Sequence, residues 1–284
     1  MKKITAKLIK GFALLAIVLS ATIMTGCSQV GKRADQQDNW SKINKAKKVT
    51  VGLDDSFVPM GFRQKSGNLV GYDVDLARAV FKLYHIKVSF QTIDWSMNAT
   101  ELKNGTIDLI WNGYTKTPER EKKVAFSTTY LRNNQTLVSL RKDKIKSLKD
   151  MKGKSLGVQT GSSGANDIGT YPSLLKNRIK GNQPILYDSF TNAFIDLNAG
   201  RIQGLLIDST YADYYVKHEA DPSKYRIIST PFPKEEFGVG LRKSDTTLKR
   251  KIDDGLKVLA KNGTLNSINK KWFGNDVDSP LVAK

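Results

Sequence analysis

Residues Asp108 to Glu121 combine residue types that could bind an anion. The first four, Asp-Leu-Ile-Trp, form a short apolar run that suits a buried strand, and Asn112-Gly113 ends that run. Thr117 and Pro118 are typical of a helix start, as N-cap and first helical residue. Arg120 then lies in the first helical turn, where unsatisfied N–H groups and the helix dipole favour anions. A cation there is unfavourable unless an anion also binds.

These residues leave two interpretations of Arg120 open. In the first, its guanidinium and the backbone N–H groups near Gly113 and Thr115 hold a carboxylate through paired hydrogen bonds. In the second, Arg120 is a surface residue paired with a neighbouring acid, namely Glu119, Glu121 or Asp108. A short motif of this kind does not decide between them.

Polar residues also end two strands predicted further along the chain. Asp208 follows the strand predicted at 203–207, and the loop from Gln159 to Gly164 follows the one predicted at 154–158. This loop is rich in N–H and hydroxyl donors. An Asp at a strand end is also a common helix N-cap, so a capping role for Asp208 stays open.

The elements that must position these groups alternate between strands and helices. The pattern predicts strands at 48–53, 86–90 and from 108, with helices at 73–84 and 99–103 between them. A second round predicts strands near 135–140, 154–158, 185–187, 203–207 and 236–241, and helices at 191–198, at 249–261 and ending near 274. This order indicates two α/β units with parallel strands and right-handed crossovers. Ligands bind such sheets at the carboxyl ends of the strands, which predicts a cleft between two lobes.

The first 26 residues differ from the rest of the chain. Lysines at positions 2, 3, 7 and 10 precede a mainly apolar stretch of 13 residues, Phe12 to Met24, which is short for a membrane span. Thr25-Gly26 then leads to Cys27, the only cysteine of the chain. The pattern predicts a lipoprotein signal peptide over 1–26, with palmitate-type lipidation of Cys27, although Met24 stands where Leu is usual. An ordinary signal peptide with an incidental Cys27 is the alternative.

Composition limits the classes of protein further. The hydrophobic content of 39% is ordinary for a globular chain, and loss of four lysines with the signal peptide takes the net charge from +19 to +15. A single cysteine excludes an internal disulfide. The basic residues are scattered rather than clustered with stacking aromatics, so we expect no nucleic-acid partner. We interpret the charge as solvated surface, with some attraction to anionic lipid or wall polymer.

Several motifs occur together in a fixed order. They are Val51-Gly52-Leu53-Asp54 with Phe57-Val58-Pro59, Gly71-Tyr72-Asp73-Val74-Asp75-Leu76, Asn104-Gly105-Thr106-Ile107-Asp108, Thr117-Pro118-Glu119-Arg120 with Phe126-Ser127, the Gly157 to Gly161 loop, Gly200-Arg201 with Asp208, Gly238-Val239-Gly240-Leu241-Arg242, and Asn262-Gly263-Thr264 to Trp272-Phe273-Gly274. With them, the chain resembles the polar amino-acid family of extracellular solute-binding proteins that serve ABC importers. The resemblance covers 48–274.

This resemblance implies a type II periplasmic-binding-protein fold, in which two α/β lobes are joined by two crossover strands and close over one amino acid. It implies a discontinuous first lobe of residues 42–133 plus 235–284 and a second lobe of residues 134–234, after a polar tether at 27–41. It also implies a monomer that uses no cofactor and binds no metal. Its partners would be the permease and ATPase subunits of an importer. The protein would be located at the outer face of the cytoplasmic membrane, on a Gram-positive cell surface.

Residue roles follow from the same resemblance. Arg120, with Gly113 and Thr115, is implied to hold the α-carboxylate of the ligand, and Asp208 its α-ammonium group. Phe57 and Trp95 match positions where the family sandwiches the ligand side chain, although both are also typical core residues. The remaining implied ligand-binding residues are Asp54, Asn112, Gln159, Thr160 and Ser163.

The resemblance does not identify the preferred amino acid. Asp54 matches a position that touches a polar or cationic ligand side chain in some relatives. Four other residues depart from those usual in the family, namely Asp55, Asn112, Tyr114 and Gln159. Glutamine, glutamate, cystine and cationic amino acids therefore all stay open, and the acids at 54 and 55 disfavour a free acidic side chain.

Three rival functions remain to be weighed. An enzyme on the same fold would need a general acid or base in the cleft, and both histidines, His85 and His218, lie outside the predicted site. The carboxylates of Asp54, Asp55 and Asp94 could serve instead, so this alternative stays open. A sensor portion of a receptor would need a membrane-spanning segment after the second lobe, and none follows up to Lys284. A surface adhesin would use the positive charge to hold polymers, and its attachment would depend steeply on salt. We expect a binding protein rather than an enzyme.

Overall fold

The computed structural model describes residues 34–274 and 278–282, so Cys27 and the predicted signal peptide lie outside the described residues. Its strands are β1 (Lys48–Leu53), β2 (Ser56–Phe57), β3 (Gly61–Arg63), β4 (Leu69–Val70), β5 (Lys87–Thr92), β6 (Leu109–Ile110), β7 (Ala125–Phe126), β8 (Leu131–Asn133), β9 (Gln135–Leu140), β10 (Leu156–Gln159), β11 (Ile185–Tyr187), β12 (Gly204–Asp208), β13 (Tyr225–Ser229), β14 (Glu235–Phe237) and β15 (Gly240–Leu241). Its helices are α1 (Trp40–Ala46), α2 (Tyr72–Lys82), α3 (Asn98–Asn104), α4 (Pro118–Lys123), α5 (Ser163–Thr170), α6 (Phe190–Asn198), α7 (Ser209–His218), α8 (Thr246–Lys261) and α9 (Thr264–Phe273). No helix in 34–274 or 278–282 has both the length and the apolar character needed to cross a membrane.

The first lobe is built on a sheet of strand order β5-β1-β6-β15-β7. β1 lies between two parallel neighbours, and its alternating residues Val49, Val51 and Leu53 are buried, as the pattern predicts. β15 runs antiparallel to β6 and β7, because the chain reaches it on its return from the second lobe. The carboxyl ends of β1 and β6 therefore lie side by side, and Asp54 and Trp111 follow them directly.

The second lobe has a sheet of strand order β11-β10-β12-β9-β13. β10 pairs in parallel with β11 and β12, whereas β9 pairs antiparallel with β12 and β13. β10 ends at Gln159 and β12 ends at Asp208, so these two side chains lie at one edge of the sheet. This edge faces the corresponding edge of the first lobe.

Two crossing segments connect the lobes. They lie against each other as an antiparallel ribbon, in which β8 pairs with β14 and Asn133 is opposite Glu235. The predicted fold class, two α/β lobes joined by two crossover strands, is confirmed.

The single strand predicted over 236–241 is wrong. The chain forms two short strands there, since β14 belongs to the crossing ribbon and β15 to the first sheet. Gly238 lies between them, where a Cβ atom would come within 2.8 Å of Lys116 Cε. The change of sheet, and not a change in hydrophobic pattern, ends the first strand.

The segment predicted as a tether is folded at its end. Asn39 is buried, and both its backbone N–H and its Nδ2 donate to Asp245 Oδ1 over 2.8 Å. Trp40 begins α1 and meets Tyr84 edge to face, with 5.4 Å between ring centroids. Residues 39–41 are therefore part of the first lobe.

A buried arginine joins three parts of the first lobe. The Arg242 side chain is 1% exposed, and its Nε donates to Asp245 Oδ2 over 2.7 Å, a carboxylate with an exposure of 0%. Its Nη1 donates to the carbonyl oxygens of Leu102 (3.1 Å) and Ile107 (2.8 Å). Its Nη2 lies 3.3 Å from Asp108 Oδ1. Arg242 therefore holds the chain before β6 and the start of α8 together.

Candidate functional site

A narrow cleft lies between the two lobes, and its free interior volume is about 10 Å³. A volume this small has room for about one water molecule, so the two lobes lie nearly closed on each other in this structure. Its lining residues come from both lobes and are Asp54, Phe57, Trp95, Asn112, Gly113, Thr115, Arg120, Gln159, Ser162, Ser163 and Asp208. The structure thus brings together residues that are far apart in the chain.

Thr160 is the one predicted binding residue that does not line this cleft. Its backbone N–H donates to the Tyr187 oxygen over 2.9 Å, which prolongs the pairing of β10 with β11. Successive side chains of an extended chain point to opposite faces, so Gln159 faces the cleft and Thr160 faces away. Thr160 instead lines a separate surface groove beside Leu186. Ser162, which was not predicted, lines the cleft.

Arg120 lies at the mouth of the cleft in α4. Thr117 is the N-cap, and its hydroxyl accepts the Arg120 N–H over 3.2 Å, as the motif predicts. The guanidinium donates from Nη1 to the Thr115 oxygen (2.9 Å) and from Nη2 to the Gly161 oxygen of the second lobe (3.0 Å). Its carbon lies 4.3 Å from the centroid of the Tyr114 ring, within the range of a cation–π interaction.

The interpretation of Arg120 as a surface residue paired with neighbouring acids does not fit these contacts. Across the described part of the chain, Arg120 makes no ion pair with Glu119, Glu121 or Asp108, and Asp108 pairs with Arg242 instead. Carbonyl oxygens and an aromatic ring hold the guanidinium, and none of the carboxylates in the described residues forms an ion pair with it. A carboxylate entering the cleft would do so.

Gly113 contributes to the site in a different way from that predicted. Its N–H donates over 2.6 Å to Oδ2 of Asp73, a fully buried residue of α2, and so is not free to hold a ligand. Burial raises the pKa of the Asp73 carboxyl to about 7, although the hydrogen bonds from Gly113 and Tyr130 oppose the rise. Gly113 has φ +56°, and a Cβ there would lie 2.7 Å from Phe57 Cε1. Glycine therefore lets Phe57 approach the loop.

Asp208 is buried at the back of the cleft. It occupies the N-cap position of α7, but its side chain makes no capping hydrogen bond, so the capping interpretation does not hold. Instead, Oδ1 accepts from Asn133 Nδ2 over 2.5 Å and from Gln135 Nε2 over 3.2 Å. Burial, followed by the nearby charge of Glu235, raises the pKa of the Asp208 carboxyl well above its usual range.

Glu235 belongs to this cluster and was missed by sequence reasoning. Its carboxylate is buried in β14, where it accepts from Asn133 Nδ2 (2.5 Å) and Gln135 Nε2 (3.1 Å). The sequence does carry a weak signal, since Glu235 and Phe237 are two positions apart on one strand and so share a face. The exposed Glu236 between them faces the other way.

The opposite wall of the cleft holds a second acidic group. Asn112 Oδ1 accepts the Asp54 N–H over 3.0 Å, and Gln159 Nε2 of the second lobe donates to Asp54 Oδ2 over 2.7 Å. Burial raises the pKa of Asp54, while hydrogen bonds from Ser56 and Gln159 oppose that rise. Phe57 packs against Phe190 of the second lobe, with 5.7 Å between centroids. These contacts across the cleft describe a closed arrangement of the lobes.

Comparison with known proteins decides the family. The family model of bacterial extracellular solute-binding proteins, family 3, matches residues 49–275 of the chain. The chain belongs to this family. Members of the family are solute-binding receptors, so the expectation of a binding protein rather than an enzyme is confirmed. Within residues 34–274 and 278–282, no group of three or more His, Cys, Asp or Glu residues is suited to hold a metal.

Individual relatives extend along most of the chain. The L-cystine-binding protein TcyJ of Escherichia coli (strain K12) is 31% identical over 92% of this chain and 94% of its own length. The arginine-binding extracellular protein ArtP of Bacillus subtilis (strain 168) is 29% identical over 88% of this chain and 96% of its own. A solved structure of an ABC uptake transporter substrate-binding protein from Streptococcus pneumoniae with bound histidine has a TM-score of 0.83. It is 49% identical and covers 84% of this chain and 98% of its own.

Proposed function

We propose that this protein is an extracellular, lipid-anchored receptor that binds a polar amino acid in the cleft and delivers it to an ABC importer. The observation that carries the proposal is the pairing of an unneutralised cation, Arg120, with a buried acid, Asp208, across one small cleft. An α-amino acid carries a carboxylate and an ammonium group on one carbon, so these two charges recognise every member of the class. The permease and ATPase subunits of the importer are the proposed partners of a monomeric receptor.

The side chain of the ligand would lie toward Asp54, Phe57 and Trp95. Phe57 and Trp95 offer aromatic faces, and Asp54 offers a carboxylate that Ser56 and Gln159 orient. An acid beside aromatic surface favours a ring or chain that carries a positive charge or an N–H donor. L-histidine is therefore the proposed ligand, supported by the histidine-bound relative at 49% identity. Arginine and cystine are the alternatives, because they appear in the names of two other relatives.

A thermal-shift screen of the standard amino acids plus cystine tests this function. A ligand at a hundred times its dissociation constant stabilises the folded state by ~2.7 kcal/mol, which the melting temperature reports. We expect L-histidine to give the largest shift, with L-arginine next and free glutamate among the smallest. A screen in which no amino acid shifts the melting temperature would contradict an amino-acid receptor.

Lipid anchoring is the second part of the proposal. It is supported by the lysine-rich start, the apolar stretch and Cys27, and it includes the predicted signal peptide at 1–26. The proposed tether begins at Cys27, and the proposed lobes are residues 42–133 plus 235–284 and residues 134–234, with a few residues before 42 packed on the first lobe. The proposed location is the outer face of a Gram-positive cytoplasmic membrane.

Replacing Cys27 by Ser tests the anchor. We expect the variant either to appear in the medium or to stay unprocessed, because the hydroxyl of Ser does not accept the lipid. Fractionation and the mass of the mature chain report both outcomes. Normal processing combined with normal membrane retention would rule out lipidation at Cys27.

A further inference from the structure

We infer that Glu235 is a second acidic residue of the ammonium subsite. In this inference Glu235 and Asp208 share one proton in the empty receptor and release it when the ligand ammonium group binds. The inference rests on the proposed function, since it assigns a further residue to the same site.

The two carboxylates are held close together by shared donors. Asn133 Nδ2 lies 2.5 Å from Asp208 Oδ1 and 2.5 Å from Glu235 Oε2, so these oxygens are at most twice that distance apart. Gln135 Nε2 also donates to both, over 3.2 Å to Asp208 and 3.1 Å to Glu235. One pair of amide groups therefore serves two acids at once.

The orientation of the Asn133 amide is fixed from its other end. Its Oδ1 accepts from the Ser209 hydroxyl over 3.2 Å and from the Thr210 N–H over 3.4 Å, both at the start of α7. The amide oxygen faces the helix N-terminus, so its NH2 group must face the carboxylates. The site is therefore built to hold two acids rather than to separate them.

Across the described ranges, no lysine or arginine forms an ion pair with either carboxylate. Both residues are 5% exposed, so water does little to screen them from each other. Two adjacent carboxylates in such surroundings do not both ionise readily, and a shared proton takes the place of the missing cation. An ammonium group, with three N–H donors and one positive charge, supplies the same charge with more hydrogen bonds.

The other charged groups around the pair do not remove this need for a cation. Arg120 attracts Asp208 from a distance, but its guanidinium is bound to the carbonyl oxygens of Thr115 and Gly161. Asp167 on α5 adds further negative charge near Glu235, and burial first, then Glu235 and Glu119, raise its pKa to about 7. Asp54 lies on the opposite wall of the cleft. The neutral groups in contact with the pair are hydroxyls and amides.

The sign of the resulting pH dependence follows directly. While the pair holds its shared proton, the ligand must displace that proton, so affinity falls as the pH falls. Exchange of one proton changes the affinity by about tenfold per pH unit in that range. Once the pH is high enough to remove the shared proton, the affinity no longer depends on the pair. Replacing Glu235 by Gln removes the repulsion between the two carboxylates, which is the second cause, after burial, of the raised pKa of Asp208, so we expect this dependence to weaken.

Calorimetry with L-histidine tests the inference, using two buffers of different ionisation enthalpy at pH 7. The wild type should release more protons per bound histidine than Glu235→Gln, by up to one. Any change in the protonation of the ligand imidazole is common to both proteins and cancels when their proton counts are subtracted. Glu236→Gln, the same substitution at the exposed neighbour, should behave as the wild type, and so should Asp167→Asn. Equal proton counts in wild type and Glu235→Gln, or loss of the release in Asp167→Asn, would overturn the inference.

Infrared spectroscopy of the ligand-free proteins tests the pair without any ligand. Because Glu235 also raises the pKa of Asp167, the comparison is made with Asp167→Asn present in every protein. At pH 7 the carbonyl band of protonated carboxyl groups should then be weaker in the protein with Glu235→Gln than in the proteins with Glu235 intact or with Glu236→Gln. An unchanged band overturns the shared proton even if histidine does not bind. Absence of histidine binding together with the expected band difference would instead count against the proposed ligand.

Discussion

Replacing Arg120 by Ala is expected to weaken amino-acid binding by about thirtyfold or more and to leave the fold intact. Removal of one member of a buried charge pair typically costs ~2–5 kcal/mol, because the partner charge, here the ligand carboxylate, is left unpaired. The side chain is half-buried, and its contacts are two carbonyl oxygens and the face of the Tyr114 ring, so its loss removes little from the core. Isothermal titration calorimetry with L-histidine gives the ratio of affinities.

Lys123→Ala is the matched control for this change. Lys123 lies on the same short helix, carries the same charge and is exposed outside the cleft. Its removal should alter the affinity less than twofold, since a screened surface charge contributes little to binding. Comparable losses in the two variants would show that net charge, and not a contact made by Arg120, governs binding.

Replacing Arg242 by Ala is expected to lower the free energy of unfolding by ~3–5 kcal/mol. Asp245, with a side-chain exposure of 0%, would lose its cationic partner, and two carbonyl oxygens would lose their donor. Chemical denaturation followed by circular dichroism measures the change. The expected loss is a large part of the total stability of a typical protein.

Arg63→Ala serves as the comparison for that loss. Arg63 pairs with Asp55 over 2.6 Å, but its side chain is 53% exposed, so its removal should cost at most ~1 kcal/mol. The two variants delete the same side chain from two ion pairs of similar length. Equal losses in the free energy of unfolding would show that burial does not determine how much the Arg242 contacts stabilise the fold.

The parts of the site that the sequence predicted depend on local chain geometry. Arg120 follows an N-cap and a proline, and Asp208 ends an apolar strand, so each position is defined by its immediate neighbours. The family resemblance then assigned both residues to one ligand-binding site. Ten of the eleven predicted residues line the cleft for this reason.

The parts that the sequence did not predict depend on contacts between distant residues. Glu235 became part of the site because β14 pairs with β8, which is about a hundred positions away in the chain. The N–H of Gly113 was assigned to the ligand, but Asp73 on another helix accepts it. Helix α7 was missed because tyrosines and polar residues alternate there without a clear apolar stripe, and its packing on the second sheet supplies the order.

The most direct test of the account is calorimetry of the wild-type protein with three compounds: L-histidine, its α-amide and its N-acetyl derivative. The amide removes the negative charge that Arg120 would bind, and acetylation removes the positive charge that Asp208 would bind. We expect L-histidine to bind and each derivative to lose about thirtyfold or more in affinity, corresponding to the ~2–5 kcal/mol of a broken charge pair. A derivative that binds as tightly as L-histidine would contradict recognition of the amino acid by Arg120 and Asp208.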